Sequence, residues 1–425
     1  MVYVLQACFL LLLFVHWPGA NKCYKILVLM QVASFATAPF VANIVTIETP
    51  LTFFNTVFCL FNLYLIIAPW RRTEFAVIVI DNPGLFLFYK RFLYCVLRFT
   101  IVIDLIVLII IRKYVPDVAA FKALEAYHTL YETIPFFGLI FRYSSVSSYI
   151  GMLAIPICIY YLQNREYKEA RKAFLMSSSC LIFSLANYSR AQLLNFVILW
   201  ICVYFYTEDL FEIRFRRVAR RILLILIFSM VMIFVAITVR RFTSDTMSYY
   251  SDRIPAESII KNVSLYNIFD YTSQGFTNGV MQLEYRDITD INIETLFYNI
   301  LLTIAYFGLI SWTSNDYDLR QRKIYNKPEL RIYNNASSFH GYVCSMINIM
   351  GYIPTLILDM VFFGYVRRRS TRWEISIKTI TVLCFLLAVS INSIFYADYS
   401  PGQFPLLFYL LVVILYKIKR TIMRR

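Results

Sequence analysis

The sequence predicts an all-α membrane protein: a polytopic helical bundle of about 11 transmembrane helices, within a range of about 10 to 13. Composition is the first reason, since 60% of the 425 residues are hydrophobic, 18% aromatic and only 16% charged. Apolar runs long enough to cross a bilayer also recur along the chain. The net charge of +15 comes from short basic clusters beside those runs, so it indicates membrane topology and no nucleic-acid partner.

The predicted spans lie near 2–17, 25–46, 51–69, 92–111, 144–162, 173–187, 191–207, 222–239, 345–366, 376–396 and 404–417. Lys and Arg cluster on alternate connections, including FEIRFRRVARR and the tail KIKRTIMRR. The positive-inside rule therefore predicts a cytoplasmic C-terminus and an outer N-terminus. The run 75–89 is an alternative span, which would move the N-terminus inside.

Three regions follow from this pattern. Residues 1–239 form an N-terminal bundle of about eight spans, and 345–425 form about three spans with a basic cytoplasmic tail. Residues 240–344 form one large loop on the outer, periplasmic side. The apolar run 296–312 inside this loop is predicted to be a buried re-entrant or interfacial helix, because a crossing there would place RRRSTRWEISIK outside.

A metal centre is not predicted. The nine cysteines show no metal or disulfide spacing, and most lie inside apolar spans, where Cys behaves as a small apolar residue. The three histidines are far apart in the sequence. No cofactor is expected.

Charged residues inside spans are costly unless they are paired or face water. Arg98 and Asp104 lie six apart, on different helical faces, so they are not expected to pair with each other. Each has either a structural partner on another helix or a place in a polar cavity. Asp359 is expected to pair structurally with Arg367–Arg369, the alternative being chemistry at the outer face.

Three arginines are candidate ligands for a lipid pyrophosphate. Arg190 opens a predicted span in SRAQLLNFVILW, and Arg240 and Arg241 close another at the outer face, where the positive-inside rule disfavours them. A guanidinium is permanently charged and binds two oxygens at once. The alternatives are an Arg190 that snorkels to the interface and an arginine pair that caps a helix C-terminus.

The stretch NIFDYTSQGFTNGV (267–280) contains Asp270, Tyr271 and two glycines. A carboxylate, amides and aromatic rings can grip a sugar, although the same residues also form ordinary turns.

These features resemble the Wzy-type O-antigen polymerases, which join oligosaccharide repeat units in bacterial envelopes. The matching segments are SRAQLLNFVILW, TVRRFTSD, YNIFDYTSQGFTNGV, ETLFYNILLTIAYFGL and NNASSFHGYVCSMINIMGYIPTLILDMVFFGYV. They cover roughly residues 180–366. The chain departs from the family in one place, since Met350 stands where an acidic residue usually precedes the glycine.

The resemblance implies glycosyl transfer at the periplasmic face of the bacterial inner membrane. The growing glycan leaves undecaprenyl pyrophosphate and joins a lipid-linked repeat unit, with a chain-length regulator protein as a further candidate partner. Arg190, Arg240 and Arg241 would bind the leaving diphosphate, and Tyr271 would bind substrate. Asp252 and Asp270 are the candidate catalytic residues, which would deprotonate or orient the acceptor hydroxyl. The alternative is a flippase of lipid-linked oligosaccharide, which would be expected to show two related halves.

Overall fold

The computed structural model describes residues 2–42, 49–72, 77–115, 130, 133–242, 254–284, 291–306, 309–313, 341–395 and 400–423. Within these residues the chain is almost entirely helical, which confirms the all-α class. In chain order the α-helices are α1 Val2–Val15, α2 Lys22–Thr37, α3 Pro50–Ile67, α4 Pro83–Tyr114, α5 Phe137–Ser147, α6 Ala154–Gln163, α7 Tyr167–Ser177, α8 Ser179–Ala186, α9 Arg190–Thr207, α10 Ile213–Phe242, α11 Val263–Glu284, α12 Glu294–Tyr306, α13 Gly341–Met350, α14 Tyr352–Ser370, α15 Ile377–Asn392 and α16 Ser400–Ile422. Short 3-10 helices cover Ala38–Val41, Ala68–Arg71, Ser148–Leu153 and Glu208–Leu210, and two strands cover β1 Val77–Val79 and β2 Glu374–Ser376.

Helix starts follow local sequence signals. The Asn21 side chain accepts from the backbone N–H of Tyr24 at 2.8 Å, which caps α2. Thr49 and Asn82 cap α3 and α4 in the same way, each followed by a proline at the first helical position. These caps satisfy N–H groups that have no partner inside the helix, so the chain turns into a helix at each of these points.

Six of the described helical segments are long and apolar enough to cross a membrane: Lys22–Val41, Pro50–Arg71, Pro83–Tyr114, Phe137–Gln163, Gln192–Leu210 and Ile213–Ala236. The chain therefore has the character of a helical membrane protein. Shorter apolar helices cover Val2–Val15, Gly341–Met350 and Ile377–Asn392. The predicted number of about 11 crossings is not confirmed.

Several predicted spans are divided in the structure. The 3-10 turn Ser148–Leu153 interrupts the predicted span 144–162, and the predicted span 173–187 is split between α7 and α8. The predicted span 345–366 breaks at Gly351, whose φ of +86° lies in a region that side chains disfavour. The alternative span 75–89 is not one helix, because β1 precedes the start of α4 at Pro83.

The described chain divides into two compact units. The first unit contains Met1–Thr73, Tyr249–Thr371 and Ala388–Ser400, and the second contains Glu74–Ser248, Arg372–Leu387 and Pro401–Arg425.

In the second unit, α4 and α16 pack antiparallel through aromatic rings. Ring centroids lie 5.7 Å apart for Phe88 and Tyr416 and 5.4 Å apart for Tyr89 and Tyr409. Nearby, β1 and β2 pair in parallel, with Ile78 opposite Ile375. The Gln163 amide accepts from the Ile78 backbone N–H at 2.7 Å and donates to its carbonyl at 3.1 Å. This side chain satisfies backbone groups that the short ladder leaves open.

In the first unit, α11 packs closely against two other segments at Gly275. A Cβ built at Gly275 would lie 1.8 Å from the Ile394 carbonyl oxygen, and one at Gly341 would lie 3.0 Å from the Gly275 carbonyl oxygen. The Gly341 and Tyr342 backbone N–H groups donate to Phe395 and Ser393 carbonyls at 2.9 and 3.0 Å. Only a residue without a side chain allows this approach of three backbones.

We predict that Gly275→Ala destabilises the folded protein, by about 1–3 kcal/mol or more, because the new methyl group has no space beside Ile394. Gly364→Ala is the matched control. Gly364 also lies inside a helix, and its Cβ would meet nothing within 4 Å, so alanine should be neutral or stabilise by up to about 1 kcal/mol. The measurement is the fraction of monodisperse protein that survives stepwise heating in detergent. Equal survival of the two variants would contradict the packing at Gly275.

Candidate functional site

The turn before α9 positions Arg190. Tyr188 has a φ of +52°, and the Ser189 backbone N–H donates to the Ser184 carbonyl and the Asn187 side chain, both at 2.9 Å. These contacts end α8 and reverse the chain, so that α9 begins at Arg190. Arg190 therefore stands in the first turn of a helix, where backbone N–H groups also favour an anion. The Arg190 side chain lies outside the part of the chain that the structure describes.

The structure adds Arg112 to this turn. Its guanidinium carbon lies 3.8 Å from the centroid of the Tyr188 ring, and it donates to the Leu185 carbonyl at 2.9 Å. The side chain is exposed. Sequence reasoning missed Arg112 because it is remote from Arg190 in the chain. The available signal was a basic pair, Arg112–Lys113, just beyond a predicted span on the disfavoured outer side.

The other candidate residues between 240 and 312 are described less fully. Arg240 and Arg241 belong to the last turn of α10, as predicted for the close of a span. Their side chains lie outside the described residues, so the pyrophosphate and helix-cap interpretations both remain predictions. Asp252 also falls outside the described residues. The predicted buried helix 296–312 corresponds to α12, whose described side chains are half-buried or exposed.

Asp270 lies on the buried polar face of α11 and is 1% exposed. Tyr271 follows on a half-buried position. Residues 267–280 thus all lie within helix α11. The alternative that this stretch forms ordinary turns is wrong. Asn262 explains the helix start, since its side chain accepts from the Leu265 backbone N–H at 3.0 Å.

The polar face extends along most of α11. Its buried polar members, each no more than 5% exposed, are Asn267, Asp270, Ser273, Gln274, Thr277, Asn278 and Gln282. Several side chains return hydrogen bonds to the carbonyl four residues earlier, as Asn267 does to Val263 at 2.8 Å. Burying so many polar groups costs free energy unless they are hydrogen-bonded. Such a face inside an apolar chain is a candidate binding or catalytic interior.

The short helix α13 packs against α11 and contacts a second buried acid, Asp359 of α14. All residues of α13 from Gly341 to Ile349 are buried. The Tyr342 hydroxyl donates to Asp359 Oδ1 at 2.7 Å, and Asp359 itself is fully buried in α14. The expected pairing of Asp359 with Arg367–Arg369 is therefore wrong. Those arginines lie at least two helical turns further along α14, whereas the break at Gly351 folds α13 back beside Asp359.

A small cavity lies within this unit where α2, α3, α11 and α13 meet. Its empty volume is about 330 Å³ counted out to the mouth, and its lining includes Gln31, Cys59, Gly279, Tyr342 and Cys344. The backbone approach at Gly275 borders the same space. A small cavity with some polar groups in its mostly apolar lining can admit water.

Some buried polar atoms of this unit have no hydrogen-bond partner among the described residues. They include Asn55 Nδ2, Asn62 Oδ1, Gln274 Nε2 and Asp359 Oδ2. Natural proteins satisfy most buried polar groups, so each unsatisfied one calls for an explanation such as a bound water or a functional role. Amide and carboxyl groups of this type match the hydroxyl groups of a carbohydrate.

One prediction about the charged residues of α4, that Arg98 and Asp104 do not pair with each other, is confirmed. Asp104 is fully buried and accepts a hydrogen bond from Ser144 of α5, whereas Arg98 is exposed on the same helix. The two residues do not pair, and Asp104 has its partner on another helix. Its bond to Ser144 fastens α4 to α5, which supports the structural interpretation of Asp104.

Chemically, these features offer two kinds of group. The turn at Arg190 has guanidinium groups and a helix N-terminus, which suit phosphate oxygens. The interior of the first unit has carboxyl, amide and hydroxyl groups, which suit sugar hydroxyls and proton transfer.

Comparison with protein-family models, with curated proteins and with solved structures found no match to this chain.

We predict that Tyr342→Phe destabilises the protein by about 1–3 kcal/mol, because it removes a hydrogen bond from the buried Asp359 carboxyl. Tyr365→Phe is the matched control, since Tyr365 is a half-buried tyrosine on the helix of Asp359. The measurement is thermal unfolding in detergent of both variants, of Asp359→Asn and of the double variant with Tyr342→Phe. The effects of the two partners should not add. Additive effects, or a Tyr342→Phe variant as stable as Tyr365→Phe, would refute the contact.

Proposed function

We propose that this protein is a polymerase of lipid-linked oligosaccharide repeat units, of the Wzy type. It would transfer glycan from undecaprenyl pyrophosphate to a lipid-linked repeat unit of an O-antigen or a related surface polysaccharide. The finer topology belongs to the same proposal: about 11 crossings, a bacterial inner membrane, and chemistry at the periplasmic face.

The observation that carries the proposal is the buried polar face of α11, which includes Asp270. In a sequence that is 60% hydrophobic, seven polar residues in one unit's interior contribute less to stability than apolar residues in the same space would. Their value is chemical. Amide and hydroxyl groups can orient sugar rings, and a carboxylate can accept a proton from an attacking hydroxyl.

The reaction itself exchanges one glycosidic bond for another. The acceptor hydroxyl oxygen bonds to the anomeric carbon of the donor while the bond from that carbon to the pyrophosphate oxygen breaks. The bond's electron pair leaves with the pyrophosphate, and the hydroxyl proton goes to a base. Asp270 is the proposed base, with Asp252 as the second candidate for the same role and Tyr271 as a substrate contact.

The leaving pyrophosphate develops negative charge, which positively charged groups stabilise. Arg190, Arg240 and Arg241 are proposed for this task. The exposed guanidinium of Arg112 beside the Arg190 turn adds a fourth candidate. Arginines can supply this charge without a metal ion.

A flippase of lipid-linked oligosaccharide is the second candidate, and one observation favours it. Helices α13 and α14 are two halves separated by Gly351, and both carry buried polar residues. Broken helices of this kind bind substrates in transporters. Against this, no half-repeat is evident in the sequence.

The two candidates differ in the glycan profile of cells. We predict that Arg190→Ala reduces chains longer than one repeat unit by about 100-fold, because one charge-stabilising donor is lost from the transition state. Single repeat units should still reach the cell surface. The measurement is gel analysis of surface glycan in a deletion strain that expresses the variant at normal abundance.

Arg214→Ala is the matched control. Arg214 is an exposed arginine on the predicted cytoplasmic end of α10, and its loss should leave the ladder of chain lengths unchanged. A normal ladder with Arg190→Ala would refute the pyrophosphate role. Absence of even single repeats at the surface of the deletion strain would favour the flippase.

A further inference from the structure

The second unit contains an apolar cavity between α9, α15 and α16. Its empty volume, including the open space at its mouth, is about 590 Å³. Nearly all of its lining is hydrocarbon, contributed by residues such as Leu153, Leu199, Phe385 and Leu406. None of the candidate residues for glycosyl transfer lines it. The proposed function therefore leaves this cavity unexplained.

One charged group stands at the cavity. Lys378 lines it from the first turn of α15, is exposed, and forms no ion pair with any described residue. Ser376 fixes this end of the helix, because its hydroxyl accepts from the Thr379 backbone N–H at 3.2 Å. Lys378 therefore lies at the start of a helix that lines an apolar space.

The position of Lys378 along α15 shows which end of the cavity lies nearer to the lipid headgroups. Phe385 also lines the cavity and lies seven residues further along the helix, which is about 10 Å at 1.5 Å per residue. At the Lys378 end, Trp373 is 69% exposed and Arg372 is exposed beside it. Exposed tryptophan and arginine mark the level of lipid headgroups. The cavity thus runs from a headgroup level into the apolar part of the helix.

The size of the cavity limits what fits. If a methylene group takes roughly the 30 Å³ that a water molecule occupies, this volume, which includes open space at the mouth, sets an upper bound on the order of 20 methylenes. The cavity therefore holds at most one fatty-acyl chain, or part of one. Undecaprenyl, with eleven five-carbon units, is far too large to be enclosed.

We propose that this cavity binds one acyl chain of an anionic phospholipid, whose phosphate is held by the Lys378 ammonium. The complementary charge at the mouth selects an anionic headgroup over a zwitterionic one. The apolar lining accepts the chain because hydrocarbon is removed from contact with polar groups. This lipid would fill the space between α15 and α16 as part of the folded unit. The inference does not depend on the proposed polymerase activity.

The test is native mass spectrometry of the full-length protein in detergent, with phosphatidylglycerol or phosphatidylethanolamine of identical chains. The wild type should retain one phosphatidylglycerol. Lys378→Glu should lower its occupancy at least fivefold, since each cation near a membrane surface contributes about 1 kcal/mol to binding anionic lipid. Lys417→Glu, an exposed lysine of α16 outside the lining, should have no effect.

A second pair of variants tests the cavity itself. Leu406 lines it and Leu407 does not, although the two are neighbours that are 52% and 44% exposed. Leu406→Trp should block the mouth and lower retention of both lipids, whereas Leu407→Trp should leave it unchanged. The proposal is overturned if Lys378→Glu behaves like Lys417→Glu, or if Leu406→Trp behaves like Leu407→Trp. Retention of undecaprenyl phosphate in place of phosphatidylglycerol would overturn the assignment to a phospholipid.

Discussion

The backbone contact at Gly275 is the constraint on which the interior of the first unit depends. Helix α11 meets Ile394 and Gly341 so closely that any side chain at Gly275 would collide with a carbonyl oxygen. This approach places the polar face of α11 beside the buried helix α13. The break at Gly351 then returns the chain so that Tyr342 reaches Asp359. Without the glycines, these polar groups would lack their neighbours.

Burying this polar interior costs free energy, because buried carboxyl and amide groups lose their hydration. Asp270 and Asp359 are both almost inaccessible to solvent, and each acid that stays buried must be supported by hydrogen bonds. In so apolar a sequence, leucine side chains could fill the same space. Retaining polar groups there is consistent with binding and proton transfer, since ionisable residues inside membrane proteins often mark functional sites.

Much of the fold was predictable, because the apolar runs and the capping signals are local. The starts of α3 and α4 follow from Thr49-Pro50 and Asn82-Pro83. Helix α11 was not predicted, since its glycines and amides read as turn residues. The spacing of Gly275 and Gly279, four apart with polar residues at helical intervals, was the overlooked signal. The partners of Asp359 and the position of Arg112 depend on contacts between distant segments, which sequence spacing does not reveal.

The most direct test of the account is the conservative substitution Asp270→Asn, which keeps the shape of the side chain and removes its basic carboxylate. Asp209→Asn, at an exposed residue paired with Arg216 at 3.0 Å, is the control. The account predicts normal amounts of folded Asp270→Asn protein, surface glycan reduced to single repeat units, and a full ladder for the control. A full ladder of chain lengths with Asp270→Asn would contradict the claim that the polar interior of the first unit performs the chemistry.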